Sequence, residues 1–303
     1  MWNKLLERLE TVFEPQIDSS QFVTHYQPAL IYKKMKEPIR YAFDIEEQTQ
    51  LNNHIVKNTY NQKLDIHFLN KSNEGYKFNI ETSKNEFILD NSLISQGKFL
   101  KDLAPLTSQL EVMVNEKGTI KSVNHKDILK KWEQLKNVLL ERYQGNQAHA
   151  YIYGIDAKVN NEALFLEDLK QARLLGLFFG GYQAAHEKDK PRDCKISNLI
   201  HCLPVTFIEQ VKDIEDDEAK QEKHIYVSGS MHPIAEETKV RIQKYFTFFE
   251  VGKNELFVSN YKRKAVLDLQ TGFPKTMSLN IELTNKEGYV REQHYNLKQI
   301  SNG

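Results

Sequence analysis

Cysteine is scarce in this chain: Cys194 and Cys202 are the only two in 303 residues. Two thiols cannot form the disulfide framework that small secreted folds depend on. Charge of either sign is also missing as a surplus, since 41 Lys and Arg balance 41 Asp and Glu. A zero balance argues against a general nucleic-acid binder, which needs a basic excess to neutralise phosphates. The local basic patches that do occur, Lys33, Lys34, Lys36 and the run Lys262-Arg263-Lys264, read as solvated strand ends or loops. Long apolar runs are lacking too. The longest, "LLGLFF" at 174–179, is far short of the roughly 20 residues needed to cross a bilayer. No secretory signal opens the sequence, because Lys4, Glu7, Arg8 and Glu10 interrupt any apolar core there. A cytoplasmic protein is the expectation if Met1 is the native start.

Recognisable catalytic patterns are missing as well. No G-x-S-x-G occurs, and "AHEKDK" lacks the second histidine of a zinc-protease helix. Gly176, Gly180 and Gly181 do not stand between a strand and a helix as a phosphate loop requires. His186, Cys194, His201 and Cys202 are the one group with zinc-ligand chemistry. Their spacing is wrong, with no C-x-x-C pair and His201 adjacent to Cys202, so no metal and no cofactor is expected. His232, before Pro233, reads as a strand-end residue.

What the chain does have is apolar residues, 40% of the total with 11% aromatics, enough for a sizeable core. Their spacing assigns elements. Trp2, Leu5, Leu6, Leu9, Val12 and Phe13 recur at helical spacing up to Pro15, giving an amphipathic N-terminal helix. From Pro38 the period becomes two. Ile39, Tyr41, Phe43 and Ile45, then Leu64, Ile66 and Phe68, then Tyr76, Phe78 and Ile80 predict an antiparallel meander with one wet face. "LEVMVNEKGTIKSVN" at 110–124 reads as a hairpin without a reactive group of its own.

The middle of the chain reads as helical. "SLISQGKFLKDLAPL" is a short helix, Asn124 caps a second, and Asn160 or Asn161 caps a third running from 161 to 180, with Leu166, Leu169 and Leu177 buried. "HAYIYGI" is read as a strand and "SNLIHCLPVTFIEQVKDI" as a helical or mixed element. Charged loops at 186–193 and 213–223 are candidate boundaries. Strands are expected again in "HIYVSGSM", part of "KVRIQKYFTFFEV", "ELFVSNYKRKAVLDL", "TMSLNIELT" and "YVREQHYNL", separated by Gly-containing turns.

The fold class these readings predict is α+β: a curved antiparallel sheet built from N- and C-terminal meanders, with central helices packed on its concave face. Residues 1–30 form the helix and a linker, and 31–303 form one domain, with a split near 220 as the alternative.

Function is less legible. The aromatics Tyr245, Phe248, Phe249 and Phe257 exceed what one sheet face needs, and with Trp2, Leu5 and Leu9 they are the candidate partner- or ligand-binding residues. No catalytic residue can be nominated. The first expectation is a non-enzymatic protein acting through its surfaces, as a scaffold, adaptor or inhibitor, with a protein partner or a second copy. The second is a carrier or sensor for an apolar small molecule held between sheet and helices. The third is an enzyme whose acid/base groups converge only in the fold.

Overall fold

Alternation with period two sets the first strand. In β1 (Ile39–Leu51) the odd-numbered residues from Ile39 to Leu51 are buried, while the even-numbered ones stay partly or fully open to solvent. A computed structural model describes residues 26–27, 32–170, 173–179, 186–187, 190–200, 203–252 and 255–301. The proposed N-terminal helix, with Trp2, Leu5 and Leu9, lies outside the described residues. So do His201, Cys202, Gly180 and Gly181.

The chain continues as β2 (His54–Ser72), β3 (Gly75–Ile88), helix α1 (Ile94–Leu103), β4 (Gln109–Val114) and β5 (Ile120–Val123). Four helices follow: α2 (His125–Arg142), α3 (Asn146–Val159), α4 (Glu162–Lys170) and α5 (Arg173–Phe178). Then come β6 (Arg192–Ile200), β7 (Leu203–Asp217), β8 (Glu222–Met231), α6 (Glu236–Phe248), β9 (Phe257–Asp268), β10 (Pro274–Thr284) and β11 (Tyr289–Gln299). A short antiparallel pair, Tyr26–Gln27 with His186–Glu187, stands apart.

The eleven long strands form one open antiparallel sheet in the order β5-β4-β3-β2-β1-β11-β10-β9-β8-β7-β6. Each meander is strictly sequential. They join where the first strand meets the last, with Ile45 opposite Tyr295 and Phe43 opposite Leu297. The sheet built from both ends of the chain is therefore observed. Hairpin turns fall where glycine and asparagine permit them. In the β4–β5 turn Gly118 adopts φ 76°, and the Asn115 side chain accepts the backbone N–H groups of Lys117 and Thr119 at 3.0 and 2.8 Å.

Several expected elements differ. "HAYIYGI" belongs to helix α3: Ile152 and Val159, seven residues apart, are buried, whereas Tyr151 and Tyr153 face solvent. Taken as a strand, the segment has no continuously buried side. "KVRIQKYFTFFEV" is mostly helix α6, which buries Ile242 and Phe246 at i, i+4. The single helix expected at 161–180 is two, α4 and α5, in which Leu169 and Leu177 are buried and Leu166 is half-buried. "SNLIHCLPVTFIEQVKDI" falls in strands β6 and β7 outside the undescribed pair 201–202. The charged stretch at 213–223 is not a loop but the tip of the β7–β8 hairpin, with Asp216 opposite Lys223. Asn124 does precede helix α2, yet its side chain makes no cap bond. It accepts the Glu111 backbone N–H at 3.0 Å and ties the helix start to β4. Asn161 caps α4 as expected, accepting the Leu164 N–H at 3.2 Å.

One face of the sheet is dry. Leu64, Ile66, Phe78, Val112, Tyr41, Phe43, Leu279, Ile281, Leu297, Ala265, Leu267, Ile225 and Phe207 are all buried. Helix α5 lies on this face, its Phe178 ring 5.5 Å from Tyr41 and its neighbour Phe179 5.1 Å from Phe78.

Candidate functional site

Three features on or beside the dry face could act on another molecule. The first is a cluster of aromatic rings. Tyr41 touches Phe178, Phe178 touches Phe179 and Phe179 touches Phe78, at 5.5, 4.8 and 5.1 Å between ring centres. Phe78 meets Tyr32, Phe68 and Phe273, and Tyr76 packs on Tyr32 at 5.3 Å. The chain of contacts thus runs unbroken from β1 through α5 to β2, β3 and the start of β10. Strand alternation supplies the sheet rings, and adjacent Phe178 and Phe179 supply the helical ones.

The second feature is polar. On the dry face the strand register aligns Asn58, Glu47, Gln293, Ile281 and Tyr261 in a row across β2, β1, β11, β10 and β9. The row continues over Gly229 of β8 to Glu209 of β7 and Arg192 of β6. Most of it is buried: Asn58, Glu47, Gln293, Tyr261 and Glu209 have little or no exposure. The Glu47 carboxylate accepts Gln293 Nε2 at 3.0 Å and pairs with Arg291 at 3.1 Å, while Tyr295 donates to Gln293 Oε1 at 2.5 Å. At the other end, Glu209 accepts the Tyr261 hydroxyl, Arg263 Nη1 at 3.0 Å and Arg192 Nε at 3.0 Å.

Arg263 does a second job. Its Nη2 donates to the carbonyls of Gly176 and Leu177 at 3.1 and 3.2 Å, so a guanidinium meets the negative end of α5 and ties that helix to the sheet. Burial alone would push the Glu209 carboxyl up, but Arg263, Arg192 and the Tyr261 hydroxyl overcome it and hold it at about 2. Burial, assisted by Glu209, pushes the neighbouring Cys194 thiol up to about 11 against the pull of the two arginines. A thiol so placed stays protonated at neutral pH and is a poor nucleophile or metal ligand. Among the described residues no group of three or more His, Cys, Asp and Glu could hold a metal.

Gly229 makes the row continuous. A Cβ built there would lie 2.6 Å from the Tyr261 ring, so the ring can cross β8 toward Glu209 only over a bare Cα. Gly229→Ala is expected to cost about 1–3 kcal/mol through this overlap, read as a lowered urea midpoint. A midpoint equal to wild type would show that Tyr261 can reach Glu209 by another path.

The third feature is the end of the sheet where α6 stops. The Asn52 side chain, in the β1–β2 turn, donates to the carbonyls of Phe249 and Glu250 at 3.2 and 3.1 Å and so satisfies the helix end. Leu51, Asn52, Asn53, His54, Phe249, Glu250 and Gly288 line an open depression of about 750 Å³. Of the aromatics nominated from the sequence, Tyr245 and Phe249 meet edge to face at 5.0 Å and Phe248 and Phe249 at 4.9 Å. Phe248 is 79% exposed. Phe257 sits at the start of β9 beneath the Lys286 ammonium, 4.9 Å from its ring centre, and shares no ring contact with the other three among the described residues.

The sequence reading missed the polar row. It took Lys262-Arg263-Lys264 as solvated, yet Arg263 is buried on the dry face while Lys262 is exposed. A signal was present: Arg263 falls in step with Tyr261, Ala265 and Leu267. Glu47, Thr49, Arg291 and Gln293 likewise fall in step with apolar neighbours.

No protein-family model and no curated protein matches the chain. Among solved structures, one of lipovitellin, concerned with its lipid–protein interactions, is similar over 91% of this chain at 10% identity and a TM-score of 0.44. The chain spans 25% of that protein's length. DynF, from the dynemicin biosynthesis pathway of Micromonospora chersina, aligns over 92% of this chain and 89% of its own at 4% identity and a TM-score of 0.21. Likenesses this distant carry no argument about fold or function. No described helix is long and apolar enough to cross a membrane.

Proposed function

We propose that this chain binds an apolar small molecule between the dry face of the sheet and the central helices, as a carrier or sensor. In this reading the sheet curls, α1–α5 sit on its concave side, and residues 31–303 act as one body. The observation that supports it is the continuous ring cluster from Tyr41 through Phe178, Phe179 and Phe78 to Tyr32, Phe68, Tyr76 and Phe273. Pockets for apolar ligands are lined mainly by aromatic and aliphatic side chains with few polar groups. Helix α5 and the residue that follows it contribute two of these rings, and the helix is six residues long and held by Arg263. A short helix so held can shift to admit a ligand at less cost than a strand paired on both sides.

Native mass spectrometry of freshly purified protein tests the reading. A noncovalent adduct that disappears on denaturation is expected, together with saturable, one-site fluorescence enhancement of added 1-anilinonaphthalene-8-sulfonate. A spectrum containing only the bare chain, with no saturable dye binding, would count decisively against it.

A second reading, docking onto a protein partner or a second copy, is favoured by one observation: the exposed Phe248 beside Phe249 at the end of α6. Phe248→Ser should then abolish self-association or co-purification while leaving the melting temperature unchanged. Dye binding by the same variant separates the two readings, since the carrier proposal expects it intact.

A further inference from the structure

We propose that the Tyr32 hydroxyl donates a hydrogen bond to the polar group of the bound molecule, so that the cargo is an apolar chain or ring system bearing an uncharged acceptor such as an ester or ketone carbonyl. This rests on the carrier reading above. Tyr32 is 5% exposed, and its ring centre lies 4.9 Å from Phe78, 5.0 Å from Phe273 and 5.3 Å from Tyr76. Its hydroxyl is buried and finds no hydrogen-bond partner among the described residues.

Three other buried tyrosines differ. Tyr41 donates to the Pro274 carbonyl at 2.9 Å, Tyr295 to Gln293 Oε1 at 2.5 Å, and Tyr261 to Glu209. A buried hydroxyl without an acceptor is destabilising, so folds rarely keep one unless something else supplies the acceptor. The phenylalanine rings around Tyr32 have no lone pair to offer. Burial, and then Tyr76, hold its ionisation well above the ordinary tyrosine range, so the hydroxyl keeps its proton and acts as a donor. An uncharged acceptor fits the place better than a carboxylate. None of the four rings packed on Tyr32 belongs to a charged residue; the Lys71 ammonium over the Tyr76 ring is already paired with Glu116, and a buried anion without a counter-charge is costly.

A matched pair of probes tests this: methyl oleate, which has an ester carbonyl, and 1-octadecene, which has no acceptor, each displacing 1-anilinonaphthalene-8-sulfonate from the full chain. Wild type is expected to bind the ester about tenfold more tightly, the worth of one buried hydrogen bond. Tyr32→Phe should erase that preference by weakening the ester alone, with 1-octadecene binding unchanged and a melting temperature no lower than wild type. Three outcomes would overturn the proposal: a preference that survives in Tyr32→Phe, no preference in wild type, or a variant that melts lower because the hydroxyl has an internal role. If neither probe displaces the dye from wild type, the carrier reading itself fails, which is distinguishable from all three.

Discussion

Glu209→Gln is expected to lose about 3–5 kcal/mol of folding stability, because it leaves the Arg263 guanidinium buried, and that of Arg192 half-buried, beside an uncharged amide. The geometry sets the size of the effect. Glu209 is 1% exposed and accepts bonds from Tyr261, Arg263 and Arg192, so no water can replace the lost charge without opening the sheet face. Arg263 would also hold the end of α5 less firmly, since its orientation depends on the same carboxylate. Urea unfolding at neutral pH measures the loss.

The pH dependence adds an independent check. Glu209 has an ordinary value of 4.5 and is held at about 2 in the fold. A depressed carboxyl contributes stability that is present above the unfolded value and is lost as pH falls toward the folded one. For Glu209 this contribution is on the order of 3 kcal/mol and disappears between about pH 5 and pH 2. The gap between wild type and Glu209→Gln should therefore close as the solution is acidified through that window. A gap that stays constant with pH would mean that the carboxylate is not the group holding the network. Replacing Glu209, Arg263 and Arg192 together by apolar residues of similar volume should be far milder than the single substitution, since a buried ion network contributes little over a well-packed apolar one.

Phe78→Ala should be comparably severe, at about 3–5 kcal/mol, for a different reason. Phe78 is fully buried and touches the rings of Tyr32, Phe68, Phe179 and Phe273. Truncation removes a shared neighbour from a sheet strand, a helix end and a turn at once, and rings held by three elements cannot all collapse into the space. The denaturation midpoint should drop with the slope retained. A loss below about 1 kcal/mol would show that the cluster repacks freely and would weaken its assignment as the organised wall of a binding site.

Particular residues show how far the sequence could be read. The N-terminal meander was legible because Tyr41, Phe43, Leu64, Ile66 and Phe78 alternate with polar residues over several strands, which gives one wet and one dry side. The C-terminal hairpins were legible from Gly272 and Gly288, which adopt φ 75° and 99° in their turns. Helix α6 was misread because "YFTFF" is rich in residues that favour strands. The deciding fact was that Ile242 and Phe246, one helical turn apart, are buried while Phe248 is left outside. Helix α3 was misread for the same reason, at Tyr151 and Tyr153. The nominated cluster at Tyr245, Phe248 and Phe249 did come together, though on a helix end, and Phe257 did not join it.

Period-two alternation and turn chemistry determined by themselves that this protein is built on antiparallel strands at both ends of the chain, because those signals act between residues close in sequence. Which strands meet was decided only by tertiary structure. The pairing of β1 with β11 places Glu47 opposite Gln293, 246 residues away. The polar row exists only in that register, since a slip of one residue on any strand would turn its member to the wet face. A charge on an isolated strand is equally satisfied by water on either side. Arg263 and Glu209 lie inside because each meets the other, and the end of α5, only after the whole sheet has formed.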